Sequence, residues 1–214
     1  MSWLIDWLYP KSCLGCGRGE DYLCHFCERK IKKVGLRQKS GFEGLISIYK
    51  YDGLMKKMIE EIKYQHLSAG IEILGEKMAR SLKIDYPQTV EHWQKEKFVL
   101  VPIPLYKGRE NWRGFNQAGE IAMVLSPKLG LEYKEILERK KKGVHLARIH
   151  SHQRRMAEIK GVFGVKEGVE KEAKIILVDD VITSGATMTE ALKTWKERCP
   201  QGRGWGLSLA GVRR

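Results

Sequence analysis

No stretch of this 214-residue chain is apolar for long enough to cross a bilayer. Its first ten residues lack a basic start, and Asp6 interrupts their apolar side chains, so they do not read as a secretory leader. No internal repeat, low-complexity segment or G-x-x-x-x-G-K-[ST] nucleotide loop occurs. Acidic residues are in deficit, with 26 Asp and Glu against 39 Lys and Arg, which gives a net charge of +13. These absences point to a cytoplasmic protein without a membrane span, and the charge favours polyanions, nucleic acid above all. The excess is uneven. Residues 107 to 160 hold 13 Lys and Arg against 6 Asp and Glu, more than half of the surplus. A hydrophobic content of 43% fits a globular protein, and the length allows one domain plus a small appendage.

Cysteine is scarce too, yet four of the five fall together. Cys13-x-x-Cys16 and Cys24-x-x-Cys27 are two knuckles seven residues apart. Each offers two thiolates to one ion, and together they complete a tetrahedral four-sulfur shell for zinc. In a reducing compartment a metal is expected rather than disulfides. Four thiolates leave no open position, so the zinc would be structural. His25 is surplus to that shell, and Cys199 reads as a buried or idle thiol.

The chain is organised around residues 174 to 187, KIILVDDVITSGAT. Ile175 to Val178 form a short apolar run that suits a strand buried on both faces. Asp179 and Asp180 follow where that strand would leave the core. A helical pattern then opens with Thr183, Ser184, Gly185, Ala186 and Thr187. A helix start offers unpaired N–H groups to a phosphate, and Gly185 permits close approach and positive φ. Two adjacent carboxylates suit ribose hydroxyls or a hard divalent cation. Acids beside an anion cradle describe a phosphorylated ribose.

Elsewhere, apolar strands alternate with amphipathic helices, which predicts an α/β fold with a mainly parallel sheet. Residues 2 to 8 read as a short helix capping the core, 28 to 39 as a basic helix or linker, and 44 to 51 as a strand. A helix carries Met55, Met58, Ile59 and Ile62 inward, with Lys56, Lys57, Glu60, Glu61 and Lys63 outside. A second helix turns Ile71, Leu74, Met78 and Leu82 inward. Residues 85 to 97 read as a surface connection. The strand 98 to 105 must end or lie at an edge near Pro102 and Pro104. Lys107, Arg109 and Arg113 follow it, placed to meet a diphosphate. A helix then buries Phe115, Ala118, Ala122 and Leu125. Residues 139 to 155 read as a long basic loop, followed by short strands at 161 to 165 and 205 to 212.

The order of these motifs, with VPIPL, then Arg113-Gly114-Phe115-Asn116-Gln117-Ala118, then VDDVITSGAT, resembles the ComF family of competence proteins over essentially the whole chain. The last string also looks like the 5-phosphoribosyl-1-diphosphate (PRPP) loop of type I phosphoribosyltransferases. The resemblance implies a zinc-finger module over residues 1–40 and a phosphoribosyltransferase-like domain over 41–214. It implies PRPP with magnesium as ligand. Asp179 and Asp180 would hold the ribose hydroxyls at the catalytic centre, residues 183 to 187 the 5-phosphate, and Arg109 and Arg113 the diphosphate. The implied role is DNA uptake in natural transformation, with an uptake helicase or other competence proteins as partners. Lys140, Lys141, Lys142, Arg148, Arg154 and Arg155 would then track single-stranded DNA. The alternative is an active transferase moving ribose 5-phosphate to a nitrogen acceptor. The chain departs from the family pattern at Ala147, His150 and Glu158.

Overall fold

In a computed structural model of the chain the described residues are 12–19, 21–65, 68–105, 115–140, 159–168 and 173–212. The expected N-terminal helix and the basic loop past Lys140 fall outside them. A single turn, α1 (His25–Glu28), follows the second cysteine knuckle. Strands β1 (Lys33–Arg37) and β2 (Gly44–Lys50) come next, then helices α2 (Gly53–Gln65), α3 (Ser68–Asp85) and α4 (Pro87–Lys95). Strand β3 (Val99–Pro102) precedes α5 (Gln117–Leu129), and β4 (Glu132–Tyr133), β5 (Leu137–Arg139) and β6 (Phe163–Val165) are short. Strand β7 (Lys174–Ile182), helix α6 (Ala186–Arg198) and β8 (Arg203–Gly211) complete the order.

Six strands form one sheet in the order β1-β2-β8-β7-β3-β4, parallel throughout except for β1 at its edge. β5 and β6 pair antiparallel as a separate ribbon. The run Ile175–Val178 is apolar at every position because both sheet faces are covered. Ile176 and Val178 pack with α2 to α5 and with Cys13, Leu23 and Cys27 of the knuckle region. Ile175 and Leu177, one step out of phase, pack with α6 and the β5–β6 ribbon. Gly204 in β8 lets α6 close down, since a Cβ there would stand 2.4 Å from Leu192.

Three elements differ from expectation. Residues 33–37, taken for helix or linker, add an antiparallel edge strand to β2. Residues 87–95, taken for a surface connection, form α4, with Pro87 in its first turn. Its Trp93 is fully buried and meets Trp205 edge-on at 5.3 Å between ring centroids. Strand β7, expected to leave the core at the acid pair, runs on through Asp179 and Asp180 to Ile182. Pro102 ends β3 as anticipated.

Candidate functional site

The pairing of β7 opens a site at its carboxyl end. β3 accompanies β7 only as far as Pro102 opposite Val178, where the Ile103 N–H donates to the Val178 carbonyl at 2.8 Å. β8 continues alongside to Gly211 opposite Ile182. Asp179 and Asp180 therefore lie inside the strand, on the stretch that among the described residues has no paired strand on the β3 side. The carboxylates bind the local backbone: Asp179 Oδ1 accepts from the Asp180 N–H and Asp180 Oδ1 from the Val181 N–H, both at 2.9 Å.

Lys63, expected on the outer face of α2, turns inward and sets its ammonium against Asp180 Oδ2. Its side chain is only 20% exposed. The signal was present, because Lys63 stands four residues after Ile59 and eight after Met55, on the stripe that faces the sheet. Burial alone would lower the Lys63 pKa, but Asp180 and then Asp179 raise it. Burial likewise pulls Asp180 upward, and Lys63 outweighs it and holds the carboxyl below its ordinary value. Asp179 goes the other way. Burial and then the Asp180 charge push it well above the usual carboxylate range. The pair thus holds one firm negative charge and one carboxyl poised to keep a proton. A cavity of about 10 Å3 lies behind Asp180, lined by apolar side chains of α2, α3, α5 and β8 with Gln117.

The loop after β7 brings the second half of the site. Gly185 adopts φ 74° and caps α6. A substitution there would be strained, and its Cβ would stand 3.1 Å from both Cε and Nζ of Lys39. Lys39 comes from the link between β1 and β2, so a cation from far back in the chain lies over the loop. No local pattern marks it. The Ser184 hydroxyl accepts from the Ala186 N–H at 3.3 Å, and Thr189 ties its N–H and hydroxyl to the Gly185 carbonyl at 2.9 Å. Gly185 and Ala186 are buried, Ser184 and Thr187 are half-buried and Thr183 is exposed. Acceptor carboxylates, free N–H groups of a helix start and a lysine thus share one sheet end. That arrangement can take a polyol at one side and a phosphate at the other.

Asn116 fixes the approach from α5. Its side chain accepts from the Ala118 N–H at 3.2 Å and donates to the Ile103 carbonyl at 3.1 Å, joining the exit of β3 to the start of α5. Phe115 is half-buried against the core. Arg109 and Arg113 lie outside the described residues, as do Lys141, Lys142, Arg148, Arg154, Arg155 and the family departures at 147, 150 and 158. Lys140 is described: its ammonium is 3.7 Å from Glu138 and its N–H donates to the Val162 carbonyl.

The Sγ atoms of Cys13, Cys16, Cys24 and Cys27 all lie within 4.8 Å of one another, with Cys16 and Cys24 at 3.7 Å. A tetrahedron with zinc–sulfur bonds of about 2.3 Å has edges of about 3.8 Å, so the four could hold a structural zinc ion. Gly15 permits the closeness, since a Cβ there would stand 2.8 Å from the Cys27 sulfur. Burial raises the Cys13 pKa, but N–H groups of Cys24, Gly15 and Cys16 more than offset it and bring it to about 6. Cys27 is pushed up to about 12 by burial and by the three neighbouring thiols. Unbalanced thiols of this kind suit a dication, which stabilises all four as thiolates. Cys199 sits apart, fully buried.

Fold and site together define an α/β protein with a mainly parallel sheet, helices on its faces and a four-cysteine module at its amino-terminal side. No family model matches the chain. Among curated proteins it is 30% identical over 194 residues to competence protein ComFC of Bacillus subtilis (strain 168), covering 87% of this chain and 72% of that one. It is 26% identical over 201 residues to competence protein F of Haemophilus influenzae, covering 92% and 84%. It is 27% identical over 189 residues to competence protein ComFC of Streptococcus pneumoniae, covering 87% and 75%. The chain belongs to the ComF family of competence proteins. Among solved structures, TT1426 from Thermus thermophilus shares 14% identity at a TM-score of 0.35 over 65% of this chain and 83% of that one, a loose likeness. Among the described residues no helix is long and apolar enough to cross a membrane.

Proposed function

We propose that this protein binds PRPP and acts in natural competence, handling incoming single-stranded DNA in the cytoplasm. The observation that carries the first half is the meeting of Asp179 and Asp180 with the Gly185 loop and Lys39 at the open end of β7. In this reading the two carboxylates accept from the ribose hydroxyls. The backbone and hydroxyls of Thr183, Ser184, Gly185, Ala186 and Thr187 receive the 5-phosphate, with Lys39 beside it. Arg109 and Arg113 follow β3 in the chain and neutralise the diphosphate. Both Oδ1 atoms accept backbone N–H groups and Asp180 Oδ2 faces Lys63. The acid pair therefore fits a magnesium ion held mainly by the ligand's own phosphates rather than a dedicated protein cage.

The competence half rests on the names of the three relatives and on the charge of +13. The basic residues Lys140 to Lys142, Arg148, Arg154 and Arg155 contribute to a nucleic-acid track, and the zinc ion holds the N-terminal module rigid. Metal analysis checks the latter: about one zinc per chain is expected, lost with Cys13→Ser or Cys24→Ser.

Calorimetry with PRPP and magnesium tests the site. Wild type should bind, and the Asp179→Asn/Asp180→Asn double variant should lose at least ~100-fold in affinity, as expected when two charge-assisted acceptors go. Equal affinities would remove the site. Diphosphate release with a panel of nitrogen acceptors separates binding from turnover.

A further inference from the structure

A groove of about 360 Å3 lies away from the acid pair, between α1, the β1–β2 edge and the last turns of α3. Its lining includes His25 and Glu28 from α1 and Arg29 at its C-cap, Lys33 from β1, Tyr49 from β2, and Arg80 and Ile84 from α3. The charges inside are not balanced. Glu28 is consumed: the Tyr49 hydroxyl donates to it at 2.6 Å and Lys77 stands 3.3 Å away. Lys33 is paired with Asp85. Arg29 and Arg80 are exposed, and their guanidinium groups have no ion pair or hydrogen bond among the described residues. Two guanidinium groups thus face one groove with nothing to neutralise them.

The rim adds a different chemistry. Of the four large apolar side chains exposed among the described residues, Ile84 lines the groove and Phe26 follows the lining residue His25 on α1, 64% and 57% exposed. The Lys30 ammonium lies 4.2 Å over the Phe26 ring. An exposed aromatic ring with a lysine over one face and two unpaired guanidinium groups combine what a flat base and a phosphodiester each require. A small phosphorylated metabolite would leave Phe26 and Ile84 without a role.

We propose that this groove binds single-stranded nucleic acid, with Arg29 and Arg80 on the phosphates and Phe26 stacked on a base. The proposal rests on the single-strand reading above and gives it a location other than the basic stretch past Lys140. The zinc module then has a direct task, because α1 begins at its second knuckle, carries Phe26 and is capped by Arg29.

Fluorescence anisotropy with a labelled oligo-dT about twenty nucleotides long tests it, in low salt where phosphate contacts weigh most. Arg29→Glu with Arg80→Glu should weaken binding more than ~30-fold, and Phe26→Ala about tenfold. Lys128→Glu with Lys193→Glu, the same charge change elsewhere, should cost under ~3-fold. Zinc content, melting temperature and PRPP affinity should stay at wild-type values in all variants, which separates lost contacts from lost folding. Equal losses in the groove and control pairs would overturn the proposal. So would polyglutamate displacing oligo-dT while Phe26→Ala has no effect, since that outcome marks an acidic protein partner. Wild type that ignores oligo-dT would sink the single-strand reading itself, whereas binding that survives the groove variants would sink only this site.

Discussion

At the amino ends of β7 and β8, Lys174 and Arg203 meet Glu96 and Glu43 in a closed set. Lys174 is 2.7 Å from Glu96, Arg203 2.8 Å from Glu96, and Arg203 binds both oxygens of Glu43. The Trp205 indole N–H also donates to Glu43, at 3.1 Å. At the carboxyl ends of the same strand pair, two carboxylates face one ammonium, and β3 has already turned away. One end matches cation to anion and keeps its strand neighbours. The other pairs one carboxylate with a lysine, leaves a second carboxyl without a cation of its own, and among the described residues has no strand beyond β3. The difference separates the end where ion pairs hold the sheet together from the end proposed above to meet a ligand.

Four substitutions press on that contrast, in descending size. Asp180→Asn leaves the Lys63 ammonium buried without its counter-ion. It should destabilise the fold by about 3 kcal/mol, at the low end for a broken buried pair because Asp179 remains close. Thermal melting at pH 7.5 reads this as a drop of several degrees. Gly185→Ala forces a Cβ into positive φ and against Lys39, for a loss of about 1–2 kcal/mol. Unlike the changes at the closed end, it should also weaken PRPP binding in calorimetry. Arg203→Ala opens the closed end. With 39% of its side chain exposed, the pair is screened, so denaturant titration should show a loss of about 1 kcal/mol. PRPP affinity should not move.

Asp179→Asn gives the smallest effect and the opposite sign. The folded-state pKa of Asp179 stands above the unfolded value, so the native protein holds its proton longer. Stability from this group is complete below the ordinary carboxylate pKa and is lost as pH rises through the raised one. The variant should therefore melt slightly higher than wild type at pH 7.5, with the gap closing towards pH 4. A melting temperature unchanged at both pH values would contradict the burial argument.

What was legible beforehand was local. Ile175 to Val178, the acid pair, Gly185 and the cysteine knuckles each carry their chemistry within a few residues, and the structure keeps each group together. What was missed depends on the tertiary fold. Residues 33–37 have too few apolar side chains to announce a strand, and they become one because the edge of β2 offers backbone partners. Helix α4 is short and mostly polar, and only the Trp205 ring across the core explains why Trp93 is buried. Lys63 stands on the inward stripe of its helix, and only Asp180 opposite explains a lysine there. Lys39 lies about 150 residues from the loop it covers, beyond the reach of any periodicity.

A crystal soaked with PRPP and magnesium puts the carboxyl end of β7 to the most direct test. Density for the ribose against Asp179 and Asp180, with the 5-phosphate on residues 183 to 187 beneath Lys39, is the expected result. Clear density for the compound elsewhere on the protein, or none at this end at saturating concentration, would contradict it.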